Sequence, residues 1–213
     1  MRTKQHIVVN KTATYHILGN PKTAKTIWFV LHGYGMLAEF FIKKFEPILD
    51  NDTCIIAPEG LSKFYTKGFY GRVGATWMTK EDREVEIEDY INYLNQLHQF
   101  ICEQNNNTDL KTNLLGFSQG GATVSRWAAN GKAKFSNLIL WASVFPEDMN
   151  FEQVNTSNTF LLYGDEDEFA AEDKVNTQKE ILNDKAQFTI IKFKGKHDIP
   201  KEVLIEQTEK NKW

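Results

Sequence analysis

Asn113-Leu114-Leu115-Gly116-Phe117-Ser118-Gln119-Gly120-Gly121 is the stretch whose reading decides the fold. An apolar run enters it, and a helical pattern over residues 121–130 leaves it. Gly-x-Ser-x-Gly between a strand and a helix is the nucleophile elbow. The turn is so sharp that the serine takes a strained backbone conformation and holds its oxygen out. Side chains two positions to either side would collide with neighbouring elements, so glycine stands at both. The alternative is a glycine-rich turn that merely contains a serine.

A hydroxyl at its free pKa is a poor nucleophile, so Ser118 needs a base, and the base needs an acid to orient it. In this architecture the three follow in chain order as serine, acid, histidine. One histidine lies after Ser118: His197, in Lys194-Gly195-Lys196-His197-Asp198. It follows an apolar run at residues 188–193, in a loop that can aim an imidazole at the elbow. The acid is expected at the end of another strand. Residues 158–163 read as a buried strand that opens into Gly164-Asp165-Glu166-Asp167-Glu168. Asp165 abuts the strand and is suited to closing the turn. Asp167, one step further out, is better placed to reach an imidazole. Asp167 is chosen as the acid, with Asp165 as the alternative. Glu166 and Glu168 read as a solvated loop, and Asp198 is rejected because adjacent side chains rarely face each other.

The charge that develops on a substrate carbonyl oxygen needs preorganised donors. One is expected from the amide of Gln119, at the positive end of the following helix. The other is expected from the loop after an early strand, where residues 26–31 run into His32-Gly33-Tyr34-Gly35. The Tyr34 amide is the candidate, and His32 reads as a structural residue that holds the loop. Trp77, Trp141 and Phe145 fall near strand ends on the same side. Trp77 and Phe145 are the candidates for lining an acyl groove, Trp141 serves equally as core, and Trp28 and Trp127 read as packing.

Working outward, residues 6–18 read as two strands meeting near Asn10 and Lys11, and residues 53–57 as a further strand. Residues 37–49 and 80–104 carry helical periodicity; in the second, Ile87, Tyr90, Ile91, Leu94, Leu97 and Ile101 share one stripe. Residues 58–80 read as an irregular stretch, either one wall of a substrate site or a packed surface loop. Later strands are expected at residues 138–142 and 187–193, with helices at 170–183 and 201–210. Strands alternating with helices imply a mostly parallel sheet covered on both faces. No linker or repeat divides the 213 residues, so a single domain over 1–213 is expected. The gap between residues 143 and 157 is too short for a multi-helix cap, which predicts an open site roofed only by loops.

Leu31-His32-Gly33-Tyr34-Gly35, Gly116-Phe117-Ser118-Gln119-Gly120-Gly121, the Gly164-x-x-Asp167 loop and Gly195-x-His197 together resemble the phospholipase/carboxylesterase family of α/β-hydrolases, the branch that includes acyl-protein thioesterases. Thr76-Trp77 and Ser143-Val144-Phe145-Pro146 resemble further segments of that family. The resemblance runs over roughly residues 26–200. It implies an α/β-hydrolase fold without a large cap domain, and hydrolysis of carboxylic esters or thioesters of small to medium acyl chains through an acyl-enzyme.

Composition bounds the rest. Hydrophobic residues make up 41% and charged residues 25%, and the net charge is −3. That balance argues against a nucleic-acid or anionic-membrane partner. No apolar run reaches the ~18 residues of a membrane span, and the N-terminus has no signal-like apolar stretch, so a cytoplasmic protein is expected. Cys54 and Cys102 read as free thiols. Five scattered histidines form no metal motif, and no cofactor or metal is expected. The rival readings are a peptidase of the same fold, which would share every residue named, and a non-catalytic binding protein built on that fold, which usually loses a member of the serine–histidine–acid set.

Overall fold

The apolar runs fold as strands and the amphipathic stretches as the helices that cover them. The structure, a computed structural model, describes residues 1–149, 154, 158–169, 174–178 and 188–213. In chain order its elements are β1 (Tyr15–Leu18), β2 (Thr26–Leu31), α1 (Ala38–Phe41), β3 (Thr53–Pro58), β4 (Ser62–Tyr65), β5 (Val73–Thr76), α2 (Arg83–Cys102), β6 (Lys111–Phe117), α3 (Gln119–Asn130), β7 (Asn137–Trp141), β8 (Asn158–Gly164), β9 (Phe188–Phe193) and α4 (Lys201–Asn211). Seven strands form one sheet in the order β1-β3-β2-β6-β7-β8-β9. Every neighbouring pair is parallel except β1, which runs antiparallel to β3.

A parallel sheet is buried on both faces, so its strands are apolar throughout rather than alternating. In β2, Ile27, Trp28, Phe29, Val30 and Leu31 are all buried. Ile27, Phe29 and Leu31 pack on one face with the α2 stripe (Ile87, Tyr90, Ile91, Leu94, Leu97, Ile101) and with Val124 and Trp127 of α3. Trp28 and Val30 face the other way, into Phe41, Phe45 and, from α4, Leu204. The result is the expected α/β architecture of three layers.

This order also places the chemistry. From β2 the chain moves outward to β3, then returns to lay β6 on the opposite side of β2. Such reversals leave a crevice beyond the carboxyl ends of the two strands. The residues after β2 are His32 to Met36, and the residue after β6 is Ser118.

Several expectations are corrected. Residues 6–14 form no strand; β1 alone represents the first pair. Residues 37–49 hold only one turn of α-helix, followed by a 3₁₀ segment, Ile42–Ile48. Pro47 inside that segment has no N–H to continue an α-helical ladder. Residues 58–80 are not irregular: β4 and β5 pair as an antiparallel hairpin of four-residue strands, the second interrupted by Gly74, which hid them. Of the helix expected over residues 170–183, residues 174–178 are described and are helical. Most of the uncapped stretch near residues 150–157 lies outside the described residues. Cys54 and Cys102 are free; burial pushes the Cys54 thiol up to about 12, which keeps it protonated and inert.

Candidate active site

Ser118 follows β6 directly, with φ 53° and ψ −120°, and α3 begins at the next residue. The turn closes through Ser118 N–H donating to Trp141 O at 3.0 Å and Gly121 N–H donating to Ser118 O at 2.9 Å. The flanking glycines are demanded by space. A Cβ on Gly116 would stand 2.2 Å from Gly120 O, and one on Gly120 would stand 2.2 Å from Leu31 O. The elbow is therefore packed backbone to backbone against the end of β2.

The acid and base loops emerge from β8 and β9, whose ends lie side by side. A Cβ on Gly164 would come 2.2 Å from Gly195 O. Asp165 N–H donates to Phe193 O and Glu166 N–H to Gly195 O, each at 2.9 Å. Within this joint the two aspartates separate by role. Asp165 is exposed, and its Oδ1 accepts the Gly195 N–H at 2.9 Å. Asp167 turns inward, its carboxylate wholly shielded from solvent. Its two oxygens lie 2.9 and 3.0 Å from His197 Nδ1, and Oδ1 also accepts the Phe169 N–H at 2.9 Å. A carboxylate only accepts, so Nδ1 carries a proton, and in the neutral imidazole Nε2 is then the acceptor. The imidazole lies against the rings of Phe117 and Phe169, each with centroids 4.9 Å away. Among the described residues no hydrogen bond joins Ser118 Oγ to His197. Asp198 pairs with Lys44 at 2.6 Å, and among the described residues it makes no hydrogen bond to the imidazole.

The loop after β2 is fixed by its histidine. His32 is fully buried; Gly60 N–H donates to its Nε2 at 3.0 Å, and its Nδ1 meets Gly33 O at 2.8 Å. The Gly60 amide can only donate, so the proton sits on Nδ1. Burial holds the His32 pKa below its ordinary value, against the opposing pull of the Gly33 carbonyl. A neutral, doubly bonded ring is a strut for the loop. Above it Tyr34 is exposed and stacks on Phe64, centroids 5.0 Å apart. Among the described residues, neither Tyr34 N–H nor Gln119 N–H donates to a protein acceptor. Both stand at the crevice, as unpaired donors must if they are to meet a developing charge.

Trp77 and Phe145 differ from expectation. Trp77 is 2% and Phe145 3% exposed, and both belong to the core under α2 and α3. Trp77 spends its indole N–H on His32 O at 2.8 Å and packs its ring on His32, while both backbone polar groups of Phe145 are bonded to the Gln178 amide. They hold loops rather than offering an open wall. Trp141 is core as well, its indole N–H donating to Asp198 O at 3.0 Å. The exposed aromatics by the site are Tyr34 and Phe169, the latter against His197, while Tyr65, Phe69 and Tyr70 are exposed on the β4–β5 hairpin. Alternating exposure in so short a hairpin was not readable without knowing the hairpin was there. Among the described residues no group of three or more potential metal ligands occurs, and no helix is long and apolar enough to cross a membrane.

A sheet with an elbow after one strand and an aspartate–histidine pair after the last two defines a class, and the sequence agrees: the alpha/beta hydrolase family model matches residues 91–198. The chain belongs to the α/β-hydrolase family. Solved structures of the same fold include the Zea mays acyl-protein thioesterase 2, 17% identical with a TM-score of 0.72 over 94% of this chain and 98% of that one. A carboxylesterase from Mesorhizobium loti is 17% identical with a TM-score of 0.71 over 93% and 94% of the two chains. A phospholipase/carboxylesterase from Dyadobacter fermentans is 16% identical with a TM-score of 0.65 over 94% and 98%. At these identities the likeness is one of fold. No curated protein matches the chain by sequence.

Proposed function

We propose that the chain is a serine hydrolase that cleaves carboxylic esters or thioesters of small to medium acyl chains through an acyl-enzyme. The observation that carries this reading is the buried Asp167 carboxylate on His197 Nδ1, at strand ends beside the Ser118 elbow. His197 Nε2 takes the proton of Ser118 as Oγ attacks the substrate carbonyl carbon, the serine–histidine hydrogen bond closing when substrate is held. The resulting oxyanion lies between the Tyr34 and Gln119 amides. Asp167 stabilises the imidazolium, which passes its proton to the departing alcohol or thiol. Water, deprotonated by the same imidazole, attacks the acyl-enzyme and releases the acid and free Ser118. No step calls for a metal or cofactor. The fold likeness to proteins named carboxylesterase and acyl-protein thioesterase supports esters and thioesters as the substrate class.

The test is initial rates on p-nitrophenyl esters from acetate to laurate, with Ser118→Ala as control. Loss of Ser118 is expected to lower turnover by a factor on the order of 10⁶. Turnover that survives the substitution, or none on any chain length, refutes the reading.

A further inference from the structure

The two amides assigned to the oxyanion come from segments far apart in the chain, residues 34 and 119, and something must set their spacing. The Gln119 side chain does not point into solvent. Its Nε2 donates to Thr76 Oγ1 and to Met78 O, each at 2.9 Å, and its Oε1 accepts the Trp77 N–H at 3.2 Å. The Thr76 hydroxyl, used by Gln119 as an acceptor, gives its one proton to Met78 O at 2.9 Å, with Gln119 Oε1 also within 3.1 Å. Both amide hydrogens, the amide oxygen and the threonine hydroxyl are thus satisfied within a cluster whose threonine is 3% exposed.

The residues on either side of Thr76 grip the other loop. Ala75 O accepts Gly35 N–H at 2.9 Å, and Ala75 N–H donates to Met36 O at 3.0 Å. Trp77 Nε1 donates to His32 O at 2.8 Å. The strand end of residues 75–77 therefore holds the backbone before and after Tyr34 through Ala75 and the Trp77 indole, and the residue after Ser118 through Thr76 and the Trp77 N–H.

From this we propose that Thr76 and the Gln119 side chain form a lock that sets the distance between the two oxyanion amides, with Thr76 a positioning residue acting through Gln119. The proposal rests on the serine-hydrolase reading. Its chemistry is specific: a hydroxyl is needed at 76 and a primary amide at 119, because one hydrogen-bonds the other and both bond Met78 O. An error of about 1 Å in such a site is enough to lower turnover a hundredfold.

The experiment measures kcat and KM for p-nitrophenyl acetate in the wild type, Thr76→Val, Thr76→Ser, Gln119→Met and the Val/Met double variant, with thermal melts for each. Thr76→Val keeps shape and removes the hydroxyl, and Gln119→Met keeps the backbone N–H and removes the amide. Each is expected to lower kcat about 10- to 100-fold with KM changed less than about threefold. Thr76→Ser is expected to restore most of kcat. The double variant is expected to match the worse single one, since both break the same lock. A kcat within twofold of wild type in Thr76→Val, a fall confined to KM, failure of serine to rescue, or additive losses in the double variant would each overturn the lock. If Thr76→Val does not fold, Thr76→Ser and Gln119→Met still decide it. Absence of any Ser118-dependent turnover in the wild type overturns the parent reading instead, and is seen before any lock variant is made.

Discussion

Replacing Asp167 by asparagine, with Asp165→Asn beside it, separates the buried aspartate from the exposed one. In the wild type the charge that would form on His197 lies 2.9 Å from an Asp167 oxygen, in a carboxylate with no solvent exposure. Two unit charges at that distance, in a medium of effective dielectric constant ~20, attract by about 6 kcal/mol. That corresponds to about four decades in rate at 1.36 kcal/mol per decade. A second argument gives the same size. Asparagine keeps the shape, but an NH₂ turned toward Nδ1 can only donate. The imidazole proton then moves to Nε2, the face that must accept from Ser118, and in triads generally this loss is ~10⁴ in kcat. Asp165 does something else: its Oδ1 accepts the Gly195 N–H, which an asparagine oxygen also does. We therefore expect kcat/KM for p-nitrophenyl acetate to fall about 10⁴-fold in Asp167→Asn and less than about threefold in Asp165→Asn, with both proteins melting cooperatively. A fall of less than tenfold in Asp167→Asn, or a larger fall in Asp165→Asn, would refute the assignment.

Two further predictions concern the fold. Gly120→Ala would press a methyl group to 2.2 Å from Leu31 O and 2.7 Å from His32 O, and urea unfolding should show a loss of at least ~2 kcal/mol, because backbone on both sides cannot give way. Asp148 bridges Arg126 at 2.8 Å and Arg83 at 2.6 Å. The Arg126 bond first, and Arg83 after it, hold its carboxyl at about 2 against the effect of burial. A depressed carboxyl pKa gives stability that is complete above its unfolded value near ~3.9 and disappears as pH falls toward the folded value. The stability gap between the wild type and Asp148→Asn should therefore be constant from neutral pH to about 4 and close between about 4 and 2, as followed by urea midpoints across that range. A gap that stays open at pH 2 would assign the effect of Asp148 to packing.

Much of the core was legible because its periods are long and uninterrupted. The α2 stripe from Ile87 to Ile101 and the continuous apolar runs of β2 and β8 each carry enough consecutive residues for one period to dominate. The elbow was legible because its glycines answer to a steric demand, now visible as the approach of Gly116 to Gly120 and of Gly120 to Leu31. The β4–β5 hairpin was not: each strand has four residues, and Gly74 breaks the pattern where β5 passes Gly35. The burial of Trp77 was equally closed to a sequence reading, because an aromatic residue at a strand end has the same letter whether its ring faces a groove or a histidine. Arg126 carries no motif in the sequence. Only the fold shows it 6% exposed and tied to Asp148, 22 residues on. The Gln119 side chain was hidden for a related reason, since its partners lie 41 to 43 residues away and pair with it only once β5 exists.

Ser118 stands at a positive φ and makes no side-chain cap to the helix it precedes. Glycine at 118 would relieve a strain of order 1 kcal/mol or more and forfeit no hydrogen bond to α3. On the serine-hydrolase reading proposed above, the serine is a standing burden on stability, kept only as long as the reaction matters to the cell. Among descendants of this gene released from that selection, residue 118 should be one of the first to drift, and toward glycine. The letter found there across natural populations becomes a record of whether hydrolysis is still in use.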